Sequence, residues 1–266
     1  PYELYTERYE ISQPHYSKMF YAKGGSIETY YVFDYQGNAV WQSPDYDKAK
    51  KLAIKIGGGI PQIKLENPGL AALIFGGVFP VGLMLVVMGG AELFTGNTAL
   101  LIPALRKKTI TKLDILKNWT FSYIGNFIGS VFVAYFFVSL TGLLVEDPWH
   151  SVVVTITEGK VNQGVVSLFL KAIACNWLVC LAVWLAVSSN QVSGKILGIW
   201  FPIMTFVALG FEHSIANMFF IPLGIFEGAN VTCSQFIVDN LLPVTLGNIV
   251  GGAGFVGVIY SYVFLD

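Results

Sequence analysis

The chain has 266 residues, a formal net charge of −1, and 54% apolar against 12% charged residues. Its mean hydropathy is +0.61. So little charge cannot clothe a water-soluble protein of this length, and without a basic excess nothing neutralises phosphates, which excludes a nucleic-acid partner.

Residues 1–68 stand apart from the rest, holding eight Lys/Arg and eight Asp/Glu. Ile27 to Trp41 alternates and is rich in Tyr, Val and Phe, with Gln36-Gly37-Asn38 as a turn, so it predicts a hairpin. Ser43-Pro44 then reads as an N-cap and first helical position, with a helix to about Ile56 stopped by Gly57-Gly58-Gly59. The expectation is a small ββα unit outside the membrane, with no signal peptide, because the first long apolar run begins near Leu70.

From residue 69 to 266 the chain reads as a transmembrane domain. Five long apolar elements are expected: 69–90 with a continuation 97–105, 117–141, 164–188, 196–225 with a break near 211–217, and 241–265. The loop 106–117 carries Arg106, Lys107, Lys108, Lys112 and Lys117 against Asp114, which places it in the cytoplasm. The loop 142–163 is acidic and suits the outside, as does the stretch flanked by Glu227 and Asp239. The C-terminus then falls inside a multi-pass protein of the cell (inner or plasma) membrane.

Two segments echo each other. Glu92 and Asn97 are spaced like Glu212 and Asn217, and Gly125-Asn126-Phe-Ile-Gly129 is spaced like Gly247-Asn248-Ile-Val-Gly251. The matched pieces run in opposite senses through the membrane. Inverted repeats with interrupted helices mark transporters, whose path lies where the breaks meet. The repeat also predicts a helix matching Leu168–Val187 near residues 48–67, where Lys48-Ala-Lys-Lys-Leu-Ala-Ile-Lys-Ile-Gly-Gly-Gly stands and cannot span a bilayer. The expectation is that one helix of the expected six, the first, is absent or that something replaces it.

Glu92, Glu212 and His213 sit at these breaks, at membrane depth, where an ionisable group needs a partner. Breaking a helix frees backbone groups. Glu92, Asn97, Glu212 and Asn217 are expected to hold the loops in shape, with contact to a permeant as the alternative. His213 is a candidate donor to an anion, together with the half-helix N-terminus beside it. Gly247–Gly254 invites close helix packing. Cys175, Cys180 and Cys233 have no zinc or disulfide spacing, and no nucleophile–base pair, metal cluster or nucleotide loop stands out, so neither an enzyme nor a cofactor is expected.

At Gly90-Ala-Glu-Leu-Phe-Thr-Gly-Asn97, Gly210-Phe-Glu-His-Ser-Ile-Ala-Asn-Met218, Asn176-Trp-Leu-Val-Cys-Leu-Ala-Val-Trp184 and Asp239-Asn-Leu-Leu-Pro-Val-Thr-Leu-Gly-Asn248 the chain resembles the formate/nitrite transporter family, over about residues 69–265. The resemblance implies an all-α, aquaporin-like inverted-repeat bundle with two interrupted helices, assembled as a homopentamer. It implies hydrophobic constrictions at Phe79 and Phe206, with Leu83, Leu93 and Phe94 narrowing the pore between them. Thr95 and His213 would be the central polar pair, Asn176 would face the pore, and Lys160 would draw anions to the outer vestibule. The implied permeants are formate first, then nitrite, hydrosulfide, lactate or acetate, moving with protons. The residues alone also fit an aquaporin-like channel for neutral solutes, or a membrane anchor with a defunct pore that presents the N-terminal unit.

Overall fold

The computed structural model describes residues 30–33, 39–43 and 67–265. The chain divides into two compact units, Pro1–Asn67 and Pro68–Asp266. In the first, β1 (Tyr30–Phe33) pairs antiparallel with β2 (Ala39–Ser43), Tyr30 opposite Ser43. Ser43, expected as a helix N-cap, is the last residue of β2, and the helix expected beyond it lies outside the described residues.

The second unit is helical. A first crossing is made of α1 (Pro68–Val78) and α2 (Val81–Gly89), separated at Phe79-Pro80 because proline has no N–H to give the preceding turn. Gly90 ends α2 at φ 71°, the left-handed conformation that glycine adopts without a Cβ penalty. After the break, α3 (Phe94–Arg106) runs on. Thr111 and Asp114 form a reciprocal capping box that starts α4 (Lys112–Ser139), whose last turns are π-helical. Then come α5 (Trp149–Val161), α6 (Val165–Ser188) and α7 (Val192–Ala208). A second break precedes α8 (Ser214–Phe226), and α9 (Gln235–Phe264) closes the unit.

Among the described residues, four stretches are long and apolar enough to cross a membrane: Pro68–Gly89, α4, α6 and α9. Their exteriors carry large apolar side chains such as Phe121, Ile128, Val166 and Tyr262, as surfaces facing lipid or a neighbouring subunit do. Two expectations need correction. The acidic loop 142–163 contains helix α5, whose Thr and Lys residues disguise it in a hydropathy reading. Helix α9 starts at Gln235 rather than 241, so Asp239 is helical, and Asn240 is buried with hydrogen bonds to Asn217 and to the Lys160 carbonyl.

Helix α6 packs against both α7 and α9. The glycine-rich run of α9 explains the fit. A Cβ on Gly247 or Gly251 would collide with the Phe169 and Ile173 carbonyls of α6, and one on Gly257 with Ile102 of α3. The repeat partners Gly125 and Gly129 on α4 have no such neighbour among the described residues. The face of α9 that α6 covers has its repeat counterpart on α4 open among the described residues.

Candidate functional site

The two breaks are built alike. The residues before α3 and α8, Leu93 and His213, are extended at φ −119°, ψ 114° and φ −119°, ψ 119°. Gly90 and Gly210 precede them with φ 71° and 68°. Each freed backbone is gripped by one asparagine amide from a later helix. Asn126 accepts from the Phe94 N–H at 2.9 Å and donates to the Glu92 carbonyl at 2.9 Å. Asn248 accepts from the Ser214 N–H at 2.8 Å and donates to the Glu212 carbonyl at 3.0 Å. A side-chain amide matches a peptide's donor–acceptor pair, so one residue satisfies both ends of a break. These asparagines were not among the expected site residues, although the repeated G-N-x-x-G pattern carried the signal.

The expected loop residues form a second symmetric layer. Asn97 Nδ2 donates to Glu92 Oε2 at 2.5 Å and to Asn118 Oδ1 at 2.9 Å. Asn217 Nδ2 donates to Glu212 Oε2 and to Asn240 Oδ1, both at 2.7 Å. The halves differ in what covers them. Glu212 is 3% exposed and receives Lys160 Nζ at 3.0 and 3.2 Å and Gln163 Nε2 at 3.1 Å. Glu92 is exposed and has no cationic partner among the described residues, and it lines an open groove with Asn118, Phe121, Ser122, Gly125 and Asn126. Lys160 and Gln163 flank the end of α5, just before α6. Their symmetry counterparts would precede Pro68 and lie outside the described residues.

Between the breaks lies a cavity of about 210 Å³, lined mainly by apolar side chains, including Phe79, Leu83, Leu93, Val179 and Phe206, with His213 as the ionisable group. The Phe79 and Phe206 rings meet edge to face at 6.0 Å, and Phe206 stacks on His213 at 5.9 Å. Phe94 points away instead, 3% exposed and packed edge-on against Trp119 and Tyr123 of α4. Thr95 Oγ1 and His213 Nε2 lie 3.0 Å apart, joining the two breaks. His213 Nδ1 accepts from the Ala216 N–H at 3.1 Å, so the ring caps its own helix. With Nδ1 acting as acceptor, a neutral ring carries its proton on Nε2 and donates it to Thr95. The Thr95 hydroxyl proton is then free for another acceptor.

Asn176, expected at the pore wall, is fully buried behind the first break. Its Nδ2 contacts the Thr95 carbonyl at 3.1 Å, Thr98 Oγ1 at 3.0 Å and the Asn248 carbonyl at 2.6 Å. From α6 it ties the first break to Asn248, the clasp of the second. Thr98 and Cys180 also donate to the Thr95 carbonyl, at 2.6 and 3.5 Å. Lys160, which the resemblance puts at the outer vestibule to attract anions, forms an ion pair with Glu212 at 3.0 Å.

The formate/nitrite transporter family's sequence model matches residues 49–262 of this chain. The chain belongs to that family. A probable formate transporter from Methanothermobacter thermautotrophicus is 52% identical over 211 residues, covering 74% of this chain and 77% of that protein. The formate channel BtFdhC of Bacillus thuringiensis is 46% identical over 209 residues, covering 79% and 78%. The formate channel FocA of Haemophilus influenzae is 37% identical over 213 residues, covering 73% and 75%. Among solved structures, an FNT family ion channel superposes with a TM-score of 0.70 at 35% identity, over 77% of this chain and 82% of that one. A pentameric formate channel with formate bound gives 0.65 at 34%, over 74% and 85%. This formate/nitrite transporter family member is a membrane protein with an all-α fold, and its family consists of transporters and channels rather than enzymes.

Proposed function

We propose that this protein conducts small monovalent anions through each protomer, formate first among them and nitrite or hydrosulfide as members of the same size class, together with protons. The observation that carries this is the Thr95–His213 bond, whose His213 ring lines an otherwise apolar cavity where the N-termini of α3 and α8 converge. Half-helix N-termini favour negative charge. The formate transporters and channels among its relatives support the same permeant.

The apolar walls set the form that crosses. A bare anion entering the space bounded by Phe79, Leu83 and Phe206 loses its water without a counter-charge, at a cost of several kcal/mol. The neutral acid avoids most of that cost. The proton comes from the aqueous mouth, because His213 Nδ1 is engaged by Ala216 and Nε2–H is engaged by Thr95. His213 orients the Thr95 hydroxyl, and that hydroxyl offers the hydrogen bond that replaces water at the narrowest point.

The protomers assemble as a homopentamer in the cell membrane, as the pentameric formate channel does. The basic loop after α3 and the C-terminus face the cytoplasm. Residues 1–68 form a separate extramembrane unit, and 69–266 carry the pore. Flux of formate into liposomes, with nitrite, hydrosulfide and glycerol as competitors, tests the reading. Competition by the anions alone is expected. Competition by glycerol alone would make this a neutral-solute channel.

A further inference from the structure

The turn between α3 and α4 gathers cations without matching them. Arg106, Lys107, Lys108, Lys112 and Lys117 stand there against the single carboxylate of Asp114. That carboxylate is held by the α4 capping box, accepting the Thr111 N–H at 2.9 Å and the Thr111 hydroxyl at 2.7 Å. Arg106 is pinned to the last turns of α9: its guanidinium donates to the Ser261 carbonyl and lies 4.0 Å from the centre of the Tyr262 ring. The four lysines are exposed, and among the described residues none makes an ion pair or a side-chain hydrogen bond.

Two observations give this cluster more to do than fix topology. Helix α3 ends with Lys108 N–H donating to the Leu105 carbonyl at 3.0 Å and Thr109 N–H to the Ala104 carbonyl at 3.1 Å. That bond pair needs a left-handed residue, which is usually glycine. Here it is Lys108 at φ 56°, the one non-glycine residue at positive φ among those described. A lysine therefore stands where the turn itself favours glycine. The second observation is how closely apolar side chains follow the charges. Leu113 is 57% and Phe121 75% exposed, and with Lys117 between them they share one stripe of α4 at four-residue spacing. Cations set directly above exposed hydrocarbon match a phosphate carried on acyl chains, whereas a soluble anion has no use for the apolar stripe. We propose that the α3–α4 turn binds an anionic phospholipid, its headgroup phosphate held by the four lysines and its chains lying against Leu113 and Phe121. This site is separate from the pore and independent of what crosses it.

The test is native mass spectrometry of the full chain, purified as its oligomer in nonionic detergent and given equal amounts of phosphatidylglycerol and phosphatidylcholine with identical chains. The wild type is expected to retain phosphatidylglycerol over phosphatidylcholine. Each lysine near an anionic headgroup strengthens binding roughly fivefold, so a variant carrying Lys107→Gln, Lys108→Gln and Lys112→Gln should lower that ratio at least about tenfold. Arginine at the same three positions keeps it. Lys195→Gln removes a lysine at the start of α7, whose Nζ donates to the Ala186 carbonyl at 3.3 Å, and should leave the ratio unchanged. Lys108→Gly separates binding from folding, because it relaxes the turn. It should raise the melting temperature while lowering phosphatidylglycerol retention about fivefold. Equal retention of both lipids by the wild type would overturn the proposal. So would a Lys195→Gln loss as large as that of the triple variant, or a Lys108→Gly chain that keeps the wild-type ratio. Displacement of the lipid by an equal concentration of glycerol phosphate would make this a site for soluble phosphates and overturn the assignment to lipid.

Discussion

Thr95 Oγ1 and His213 Nε2 sit 3.0 Å apart although 118 residues separate them in sequence, and each belongs to a different broken helix. That bond is the point where the two halves of the repeat meet. Because His213 also caps α8 through Nδ1, its ring cannot rotate without uncapping the helix.

Replacing Thr95 with Val keeps the shape and removes the hydroxyl. Nε2–H then has no acceptor at that position and the permeant has no donor. Formate flux is expected to fall at least about tenfold, a barrier increase of ~1.4 kcal/mol. Stopped-flow flux measures this, and an oligomer of unchanged melting temperature shows that the loss is not unfolding.

The two asparagine clasps should differ in weight. Asn248 is fully buried and also donates to the Ala172 carbonyl at 2.9 Å, whereas Asn126 is only partly buried. Asn248→Ala strands the Ser214 N–H and the Glu212 carbonyl away from water, costing about 3 kcal/mol. Asn126→Ala lets water take over and costs about 1 kcal/mol. Thermal unfolding in detergent compares them, and equal losses would mean that the first break is as enclosed as the second.

Glu212→Gln tests the buried pair. It leaves Lys160 beside a neutral amide at a site where Glu212 is 3% exposed, with an expected cost of about 3 kcal/mol. Adding Lys160→Met should recover part of it, because the uncompensated charge is then gone. A double variant no more stable than Glu212→Gln would show that the pair's electrostatics are not what is lost.

Gly252 is the place where α9 meets the polar cluster behind the first break. Its missing side chain leaves room for Thr98 Oγ1, Asn176 Nδ2 and Cys180 Sγ, all of which a Cβ would collide with or crowd. Gly252→Ala must displace Asn176, which bonds the Thr95 carbonyl at the first break and the Asn248 carbonyl, so oligomer yield and flux should fall together. Gly254→Ala, with open space around it, is the matched control and should behave as wild type.

The sequence disclosed the skeleton of this arrangement through its symmetry. The spacing of Glu92 to Asn97 and Glu212 to Asn217 located both breaks, and the structure closes each spacing into a hydrogen bond. It could not show which way a side chain leaves its helix. Asn176 and Phe94 both sit in motifs that suggest the pore, yet one points behind the loop and the other into α4, because apolar residues surround every face of a membrane helix. The start of α9 was hidden for a related reason. Asp239 and Asn240 look like loop residues until Asn240 is seen to bond Asn217 across the bundle. The ion pair of Lys160 was hidden because its partner, Glu212, lies 52 residues away.

The most direct test of the account is formate uptake into proteoliposomes driven by an inward proton gradient, comparing the wild type with His213→Ala. If the neutral acid is the crossing form, wild-type uptake rises as the outside is acidified. The rise approaches about tenfold per pH unit while the protonated fraction is small, since that fraction follows the proton concentration above the carboxyl pKa. His213→Ala is expected to lower the rate, through the misoriented Thr95 hydroxyl, while keeping the pH slope. Uptake in the wild type that does not change with outside pH, or a pH slope that disappears in His213→Ala, would contradict it.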